Sequence, residues 1–346
     1  MIVVTGATGF LGNALTRRLV DALGNEPDAL KPPVRALVRG QSDLSSLAGL
    51  EVEFVQGDIG DLDSLVQAFS GAEGVFHMAG IVDITGYKPD RLHTVNVQGT
   101  KNVIEACKRA GVGRLVYASS IHAFVEAPLG TTADEGLPLD PSRINDPYGK
   151  TKAEATQLVL AAVRAGLDAV VVHPTGVLGP YDFRPSPTGQ AILDYAQRKL
   201  GIYVDGGYNF VDVRDVAEGT LAAYAKGRTG ENYILSGHPV TVRQLLETIE
   251  TVSGVPAPRM RLNFGIARAL SRLMPIYYWI TQEQPVFTTY SLDVLRSNSS
   301  ISHAKAEAEL GYSPRPFRET IEDTIEWFAD QRMLDLVPSP AAPTLA

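Results

Sequence analysis

Apolar and polar positions alternate in blocks along the first half of the chain. Ile2-Val3-Val4 is an apolar run too short for anything but a buried strand. A glycine-rich stretch follows, and the pattern over residues 14–23 then takes a helical period. Val34-Arg35-Ala36-Leu37-Val38 predicts the second strand and Val52-Glu53-Phe54-Val55 the third, with a helix over 61–69. Gly74-Val75-Phe76-His77 leads a fourth strand into small residues, and Asn96 opens a long helix reaching Ala110. Arg114-Leu115-Val116-Tyr117-Ala118 gives the fifth strand and Ala169-Val170-Val171-Val172-His173-Pro174 the sixth, separated by a helix that starts near Pro147. Near-continuous apolar strands alternating with helices predict an α/β fold whose parallel sheet is doubly wound and covered on both faces.

Beyond residue 180 the pattern is less regular. Residues 182–205 predict a lid region with a helix over 189–200, and 240–254 a helix with Thr241 as its N-cap. Residues 264–280 carry Leu270, Leu273, Met274, Ile276, Tyr277, Tyr278 and Trp279, interrupted by Pro275, which divides them into two pieces. This cluster fits an apolar substrate pocket, plain packing onto the sheet, or a peripheral membrane patch flanked by Arg261, Arg268 and Arg272. Helices over 302–310 and 317–333 close the pattern, and the proline- and alanine-rich residues 335–346 read as a mobile tail. The expected organisation is a dinucleotide-binding unit over 1–180, a sheet-completing segment at about 208–236, and a substrate-binding region from 181–207 and 237–334.

Composition narrows the class. The 346 residues are 45% hydrophobic and 20% charged, with a net charge of −8 and no long basic run, which argues against nucleic acid as a partner. Cys107 is the single cysteine, so no internal disulfide can form; its apolar neighbours suit a packed helix face. No stretch of about 18 apolar residues predicts a membrane-spanning helix. The first strand follows Met1 directly, so no signal peptide is expected, and a reducing cytoplasm fits. The histidines at 77, 93, 122, 173, 238 and 303 show no metal-ligand spacing.

The chemistry-bearing residues fall at strand ends, where doubly wound sheets bind ligands. Thr5-Gly6-Ala7-Thr8-Gly9-Phe10-Leu11-Gly12 joins the first strand to a helix, the context of a dinucleotide cradle. Glycines allow a tight turn and close approach to a pyrophosphate, and the helix N-terminus supplies N–H groups and partial positive charge. Arg39 ends the second strand where an acidic residue would bind a ribose 2′-hydroxyl. A guanidinium there suits a 2′-phosphate and favours NADP over NAD, with NAD remaining possible. Gly57-Asp58-Ile59 ends the third strand; Asp58 either meets the adenine edge or caps the next helix. Met78, Ala79 and Gly80 end the fourth strand with small groups a cofactor can pass, and Pro174, Gly176 and Val177 follow the sixth. Tyr148 and Lys152, four apart on a helix, share a face. An ammonium beside a phenol favours the phenolate, which would bring the tyrosine into range for proton transfer near neutral pH.

In this order, the Thr-Gly-Ala-Thr-Gly-Phe-Leu-Gly turn, Ser119-Ser120, and Tyr148-x-x-x-Lys152 resemble the extended short-chain dehydrogenase/reductase family. Gly57-Asp58-Ile59, Asn96-Val97-x-Gly99-Thr100 and Phe210-Val211-Asp212-Val213-Arg214-Asp215-Val216-Ala217 match it as well. The resemblance implies a Rossmann-type domain. Ser120 would polarise a carbonyl, Tyr148 would donate or accept the proton, and Lys152 would hold the nicotinamide ribose and tune the tyrosine. Asn96 takes the place of the family's helix asparagine. The sugar-nucleotide branches carry an arginine before the Phe-x-x-Val-like segment, where this chain has Gly206-Gly207-Tyr208-Asn209. The dehydratases carry an Asp-Glu pair where it has Ile121-His122. The chain looks more like the dihydroflavonol-reductase-like and hydroxysteroid-dehydrogenase-like branches, which act on carbonyls or alcohols of ring compounds. The resemblance therefore implies an NADP(H)-dependent carbonyl reductase and a homodimer paired through the helices near Asn96 and Tyr148. An epimerase or dehydratase with tightly held NAD is the alternative, and a non-catalytic NADP-binding sensor or scaffold is a third.

Overall fold

The computed structural model describes residues 1–24, 34–82, 89–272 and 288–334. A sheet of seven strands runs through the middle: β1 (Ile2–Thr5), β2 (Val34–Val38), β3 (Val52–Gln56), β4 (Gly74–His77), β5 (Arg114–Ala118), β6 (Ala169–Pro174) and β10 (Asn232–Leu235). Their order is β3-β2-β1-β4-β5-β6-β10, and every pairing is parallel. The chain leaves β1 toward one edge and returns to β4 to build toward the other. The carboxyl ends of β1 and β4 thus flank the crevice where the winding reverses.

The helices divide between the two faces. On one, α1 (Phe10–Gly24) and α7 (Val213–Lys226) pack side by side, burying Leu15, Leu19, Val216 and Ala217 against Val4, Phe76, Val116 and Val172. On the other, α2 (Leu62–Phe69), α4 (Gly99–Ala110) and α5 (Pro147–Arg164) bury Leu65, Phe69, Val103, Cys107 and Val159 against Val3, Val75, Leu115 and Val171. Alternate residues of the inner strands serve opposite faces, which explains their near-continuous apolar runs, whereas the edge strand β3 carries Glu53 and Gln56 and leaves Phe54 exposed.

A smaller region sits beyond the carboxyl ends. β7 (Gly176–Leu178), β9 (Gly207–Asp212) and β11 (His238–Thr241) form a three-stranded sheet in the order β11-β9-β7. Its core joins α6 (Pro187–Ala196), α8 (Val242–Ser253) and α12 (Phe317–Asp330) through Ile192, Tyr195, Phe210, Ile249, Ile325 and Phe328. β8 (Ile202–Val204) pairs with β12 (Met260–Leu262), followed by α9 (Phe264–Ser271), α10 (Thr289–Val294) and α11 (Ala304–Leu310). Of the segment 208–236, only β10 joins the large sheet; α7 packs on its face and β9 belongs to the small sheet.

Several expected boundaries shift. α1 starts at Phe10 rather than residue 14, because the glycine turn feeds the helix directly. Asn96 does not open a helix. The segment is already helical from α3 (Pro89–Leu92), and residues His93–Gln98 form a widened π turn that runs into α4. Such a turn interrupts the 3.6-residue period. Val240 is in β11, and α8 begins after Thr241, whose side chain and that of Gln244 form a reciprocal capping box. α6 starts two positions early, capped by Ser186, and ends at Ala196, two residues before Arg198 takes a φ of 61°. Leu273, Met274, Pro275, Ile276, Tyr277, Tyr278, Trp279 and the 335–346 segment lie outside the described residues.

Leu115 is fully buried in β5 at the centre of the sheet. Leu115→Ala should cost about 2–5 kcal/mol, read as a lower urea midpoint with an unchanged denaturant slope.

Candidate active site

The glycine turn is built for close approach. Gly6 has a φ of +71°, and a Cβ there would lie 2.7 Å from the Ala79 backbone. A Cβ on Gly12 would lie 2.1 Å from the Gly6 carbonyl oxygen. Both positions therefore exclude a side chain by packing within the protein. Gly9 differs: it is exposed, and a Cβ would meet only the Gly6 oxygen at 3.2 Å. Its bare backbone faces outward beside Thr8, Phe10 and Leu11 at the N-terminus of α1, whose first turn holds no acid. The Gly9 N–H is taken by the Gly6 carbonyl at 2.9 Å, so it is the first N–H groups of α1, at Phe10 and Leu11, that are open to a pyrophosphate.

Under this turn runs a buried hydrogen-bonded chain. The Thr5 hydroxyl meets His77 Nδ1 at 2.8 Å, and His77 Nε2 meets the Thr100 hydroxyl at 3.1 Å. Thr100 donates to the Asn96 carbonyl at 2.6 Å, so its oxygen is left to accept from His77. That assigns the imidazole proton to Nε2 and makes Thr5 the donor to Nδ1. Thr5 in turn accepts the Ala79 N–H at 3.3 Å. Burial pulls the His77 pKa down to about 3, so the ring is neutral and structural.

The π turn aims Asn96 inward. Its Oδ1 accepts the Ile81 N–H at 2.9 Å, while Nδ2 donates to the Ile81 carbonyl at 3.0 Å and to the Thr151 hydroxyl at 3.2 Å. Asn96 thus ties the strand end at Met78, Ala79 and Gly80 to α5. A Cβ on Gly80 would stand 3.3 Å from Asn96 Oδ1 and 3.5 Å from Lys152 Nζ.

The structure separates the two serines. Ser119 Oγ is buried 2.7 Å from Thr156 Oγ1 and serves packing. Ser120 Oγ accepts the His122 N–H at 3.3 Å, which leaves its own proton to donate. Asp146 caps α5 by accepting the Gly149 N–H at 2.6 Å. A Cβ on Gly149 would lie 2.4 Å from the His122 carbonyl oxygen, so this glycine lets the first turn of α5 press against the Ser120 turn. Tyr148 is thereby brought beside the Ser120 hydroxyl. Lys152, one turn on, is buried and donates to the Ala118 carbonyl at 2.7 Å and the Tyr117 hydroxyl at 3.4 Å.

The electrostatics correct one expectation. Lys152 does not lower the Tyr148 pKa here. Burial pushes Tyr148 up to about 12, opposed by the neighbouring Ser120 hydroxyl and assisted by the Asp146 charge. Burial also draws Lys152 down to about 7, and its amine is turned to the Ala118 carbonyl. For both groups burial is the largest cause of the shift.

The remaining expected positions line the same rim. Arg39 is exposed after β2; its N–H is held by Ser42 Oγ at 3.1 Å, and its guanidinium has no hydrogen bond among the described residues. Asp58 is exposed and accepts the Gly60 N–H at 2.7 Å, whereas the cap of α2 is Asp61. Ile59 packs toward Gly99, where a Cβ would lie 2.7 Å from its Cδ1. Pro174 is the buried last residue of β6, Gly176 lies beneath the Tyr208 ring, and Val177 pairs with Val211. The Asp212 segment is structural: its carboxylate caps α7 through the Arg214 N–H at 2.8 Å and pairs with Arg214 at 2.7 Å, while Asp215 holds Arg315 at 2.9 Å.

The sequence reading missed an aromatic cluster facing Tyr148. His122 Nε2 and the Tyr208 hydroxyl meet at 2.7 Å. The His122 ring is 6.1 Å from Tyr148 and 6.0 Å from Tyr290, centroid to centroid. Its place two residues after Ser120 was the available signal; the partners come from β9 and α10, which no spacing connects. Among the described residues no group of His, Cys, Asp and Glu could hold a metal ion.

This cradle beside a serine, a phenol and an amine defines an NAD(P)-dependent enzyme of the extended short-chain dehydrogenase/reductase type. The comparisons agree. The model of the 3-beta hydroxysteroid dehydrogenase/isomerase family matches residues 3–224, and the chain belongs to that family. It is similar to sterol demethylase protein B of Methylococcus capsulatus, 36% identical over 337 residues, covering 96% of this chain and 99% of the relative. It is also similar to 3beta-hydroxysteroid-dehydrogenase/decarboxylase isoform 1 of Arabidopsis thaliana, 31% identical over 354 residues, covering 94% and 79%. The crystal structure of gox2253 superimposes with a TM-score of 0.83 at 34% identity, covering 97% of this chain and 99% of that one.

Burying Lys152 has a pH signature. Between about 7 and the ordinary lysine value of 10.5, the unfolded chain holds this proton and the folded chain does not. Its contribution to stability therefore rises with pH across that window. Lys152→Met should stabilise the ligand-free protein in urea unfolding near neutral pH, with the gain shrinking steadily as pH approaches about 10.

Proposed function

We propose that the protein is an NADP(H)-dependent reductase of a ketone or aldehyde on an apolar ring compound. The observation that carries this is the placement of Ser120 and Tyr148 side by side, over Lys152 and next to the glycine cradle. The bound nicotinamide would supply the hydride. Ser120, its oxygen already occupied by the His122 N–H, donates its proton to the carbonyl oxygen and fixes its position. Tyr148 is protonated throughout the physiological range, the state a proton donor requires. Lys152 lies within reach of Gly80 and the cofactor side of the rim, where ribose hydroxyls would replace the Ala118 carbonyl as its partners.

The names of the relatives, with their sterol and hydroxysteroid substrates, support an apolar ring. The sugar-nucleotide reading lacks its diphosphate grip: β9 presents Tyr208, Asn209 and Phe210 with no arginine, and Asn209 is engaged by Thr175 and the Gly237 N–H. Such an enzyme would be isolated with NAD bound and would consume none. The homodimer that the family resemblance implies would pair the helices near Asn96 and Tyr148, and an open groove of about 670 Å³ lies along α5 there, lined by Val97, Glu154, Gln157, Leu158 and Arg164.

NADPH oxidation with a carbonyl panel, followed by absorbance, tests the activity. Tyr148→Phe should lower kcat by about 10²–10⁴-fold with NADPH affinity little changed; full turnover in that variant would refute the mechanism. Arg39→Ala should weaken NADP binding by roughly ten- to a hundredfold, the worth of a charge-assisted hydrogen bond. NAD binding should be unaffected, both being measured by calorimetry.

A further inference from the structure

The segment between β7 and α6, residues 179–186, crosses the flank of α1 and reaches the turn that follows β2. Arg17 of α1 links the two. Its guanidinium stands 4.8 Å over the Tyr181 ring and 5.8 Å from that of Phe183. The same guanidinium donates to the Ser46 carbonyl at 2.8 Å, which Asn13 also meets at 2.7 Å. Phe183 leans on Trp327 of α12, with ring centroids 5.1 Å apart. Asp182 is buried and accepts the Ser186 N–H at 2.7 Å. Tyr181 has a φ of 74°, a left-handed conformation uncommon outside glycine. Such a conformation persists where its surroundings over-determine it. The Arg17, Asp182 and Trp327 contacts do so here, and they fix the course of the segment.

That course carries Arg184 to the end of β2. Its guanidinium lies 3.6 Å from the Asp43 carboxylate, and the two side chains are 67% and 59% exposed, so the pair is weak. Asp43 directly follows Ser42, which closes the turn against Arg39. The Ser42 N–H donates to the Arg39 carbonyl at 2.9 Å, and Ser42 Oγ accepts the Arg39 N–H at 3.1 Å, leaving the Ser42 proton to donate outward. Two guanidiniums and a hydroxyl, from two distant parts of the chain, therefore border one turn. Asp43 is the single acid among residues 39–50. A phosphate dianion takes several such donors at once. A guanidinium has five N–H groups, enough to keep Asp43 on one edge and present another.

We propose that Arg184 is a second ligand to the ribose 2′-phosphate of NADP, closing on it opposite Arg39 and Ser42. This role presupposes the NADP preference proposed from Arg39, and extends it. The phosphate that distinguishes NADP from NAD would join the dinucleotide-binding sheet to the segment that leads into α6. The pyrophosphate is the poorer partner, because among the described residues Arg184 meets the turn after β2 and not residues 8–11, which open α1.

Calorimetry of the full chain with NADP and NAD, and with adenosine 2′,5′-bisphosphate and adenosine 5′-monophosphate as fragments, tests this. Arg184→Gln should weaken NADP and the bisphosphate about tenfold, with NAD and the monophosphate unchanged. Arg184→Lys should recover part of the loss, since an ammonium keeps the charge without the paired donors. With Arg39→Ala added to Arg184→Gln, NADP should bind no more tightly than NAD. The Arg184 side chain is mostly exposed, so the urea midpoint of Arg184→Gln should match the parent, which separates a lost ligand from a damaged fold. If Arg39→Ala lowers NADP selectivity but Arg184→Gln weakens NADP and NAD equally, or neither, the role of Arg184 is overturned and the NADP preference stands. A parent chain that binds NAD as tightly as NADP would overturn both.

Discussion

The arrangement of the site depends on one contact, the first turn of α5 pressed against the turn that follows β5. No side chain fits at Gly149, because the His122 carbonyl oxygen already occupies the space a Cβ would need. This contact converts two separate strand-and-helix elements into one unit that holds Ser120, Tyr148 and Lys152. Asp146 sets where the helix begins, and Asn96, through Thr151 and Ile81, fixes its distance from the end of β4. A displacement at any of these points would separate the two hydroxyls that meet one substrate oxygen in the proposed mechanism, and small errors of position are costly in catalysis.

The same compactness sets the electrostatics. Lys152, Tyr148, Tyr117 and His77 are all buried, and the neutral form of each is favoured. The hydrogen-bonded chain from Thr5 through His77 and Thr100 to Asn96 satisfies the polar groups that this burial would otherwise strand. In a medium of low dielectric such a chain is rigid when complete. It joins the strand below the glycine turn to the helix carrying the lysine, so the two halves of the site share one support. His122, Tyr208 and Tyr290 close the other side with rings that bring hydroxyls and an imidazole into an otherwise apolar wall.

The region beyond residue 180 follows a different logic. Its small sheet and helices are held by a separate aliphatic and aromatic core, and by the buried carboxylates Asp212 and Asp215 with Arg214 and Arg315. From this region β9 and α10 bring Tyr208 and Tyr290 beside His122.

What the sequence determined by itself is whatever depends on local spacing. The apolar strands, the glycine turn and the helix start near Pro147 are short-range patterns, and each is found where the pattern put it; the spacing also set Tyr148 and Lys152 one turn apart on that helix. The family was legible for the same reason, since its motifs are short and ordered. The tertiary structure decided the rest. The π turn around Asn96 is set by packing rather than by any cap signal, so the sequence placed a helix start there wrongly. Which of two adjacent serines is free depended on Thr156, and the partners of His122 came from strands and helices about 90 and 170 residues away. The direction of the Tyr148 shift was misjudged because spacing shows that two groups are near but not how deeply both are buried, and burial was the larger effect.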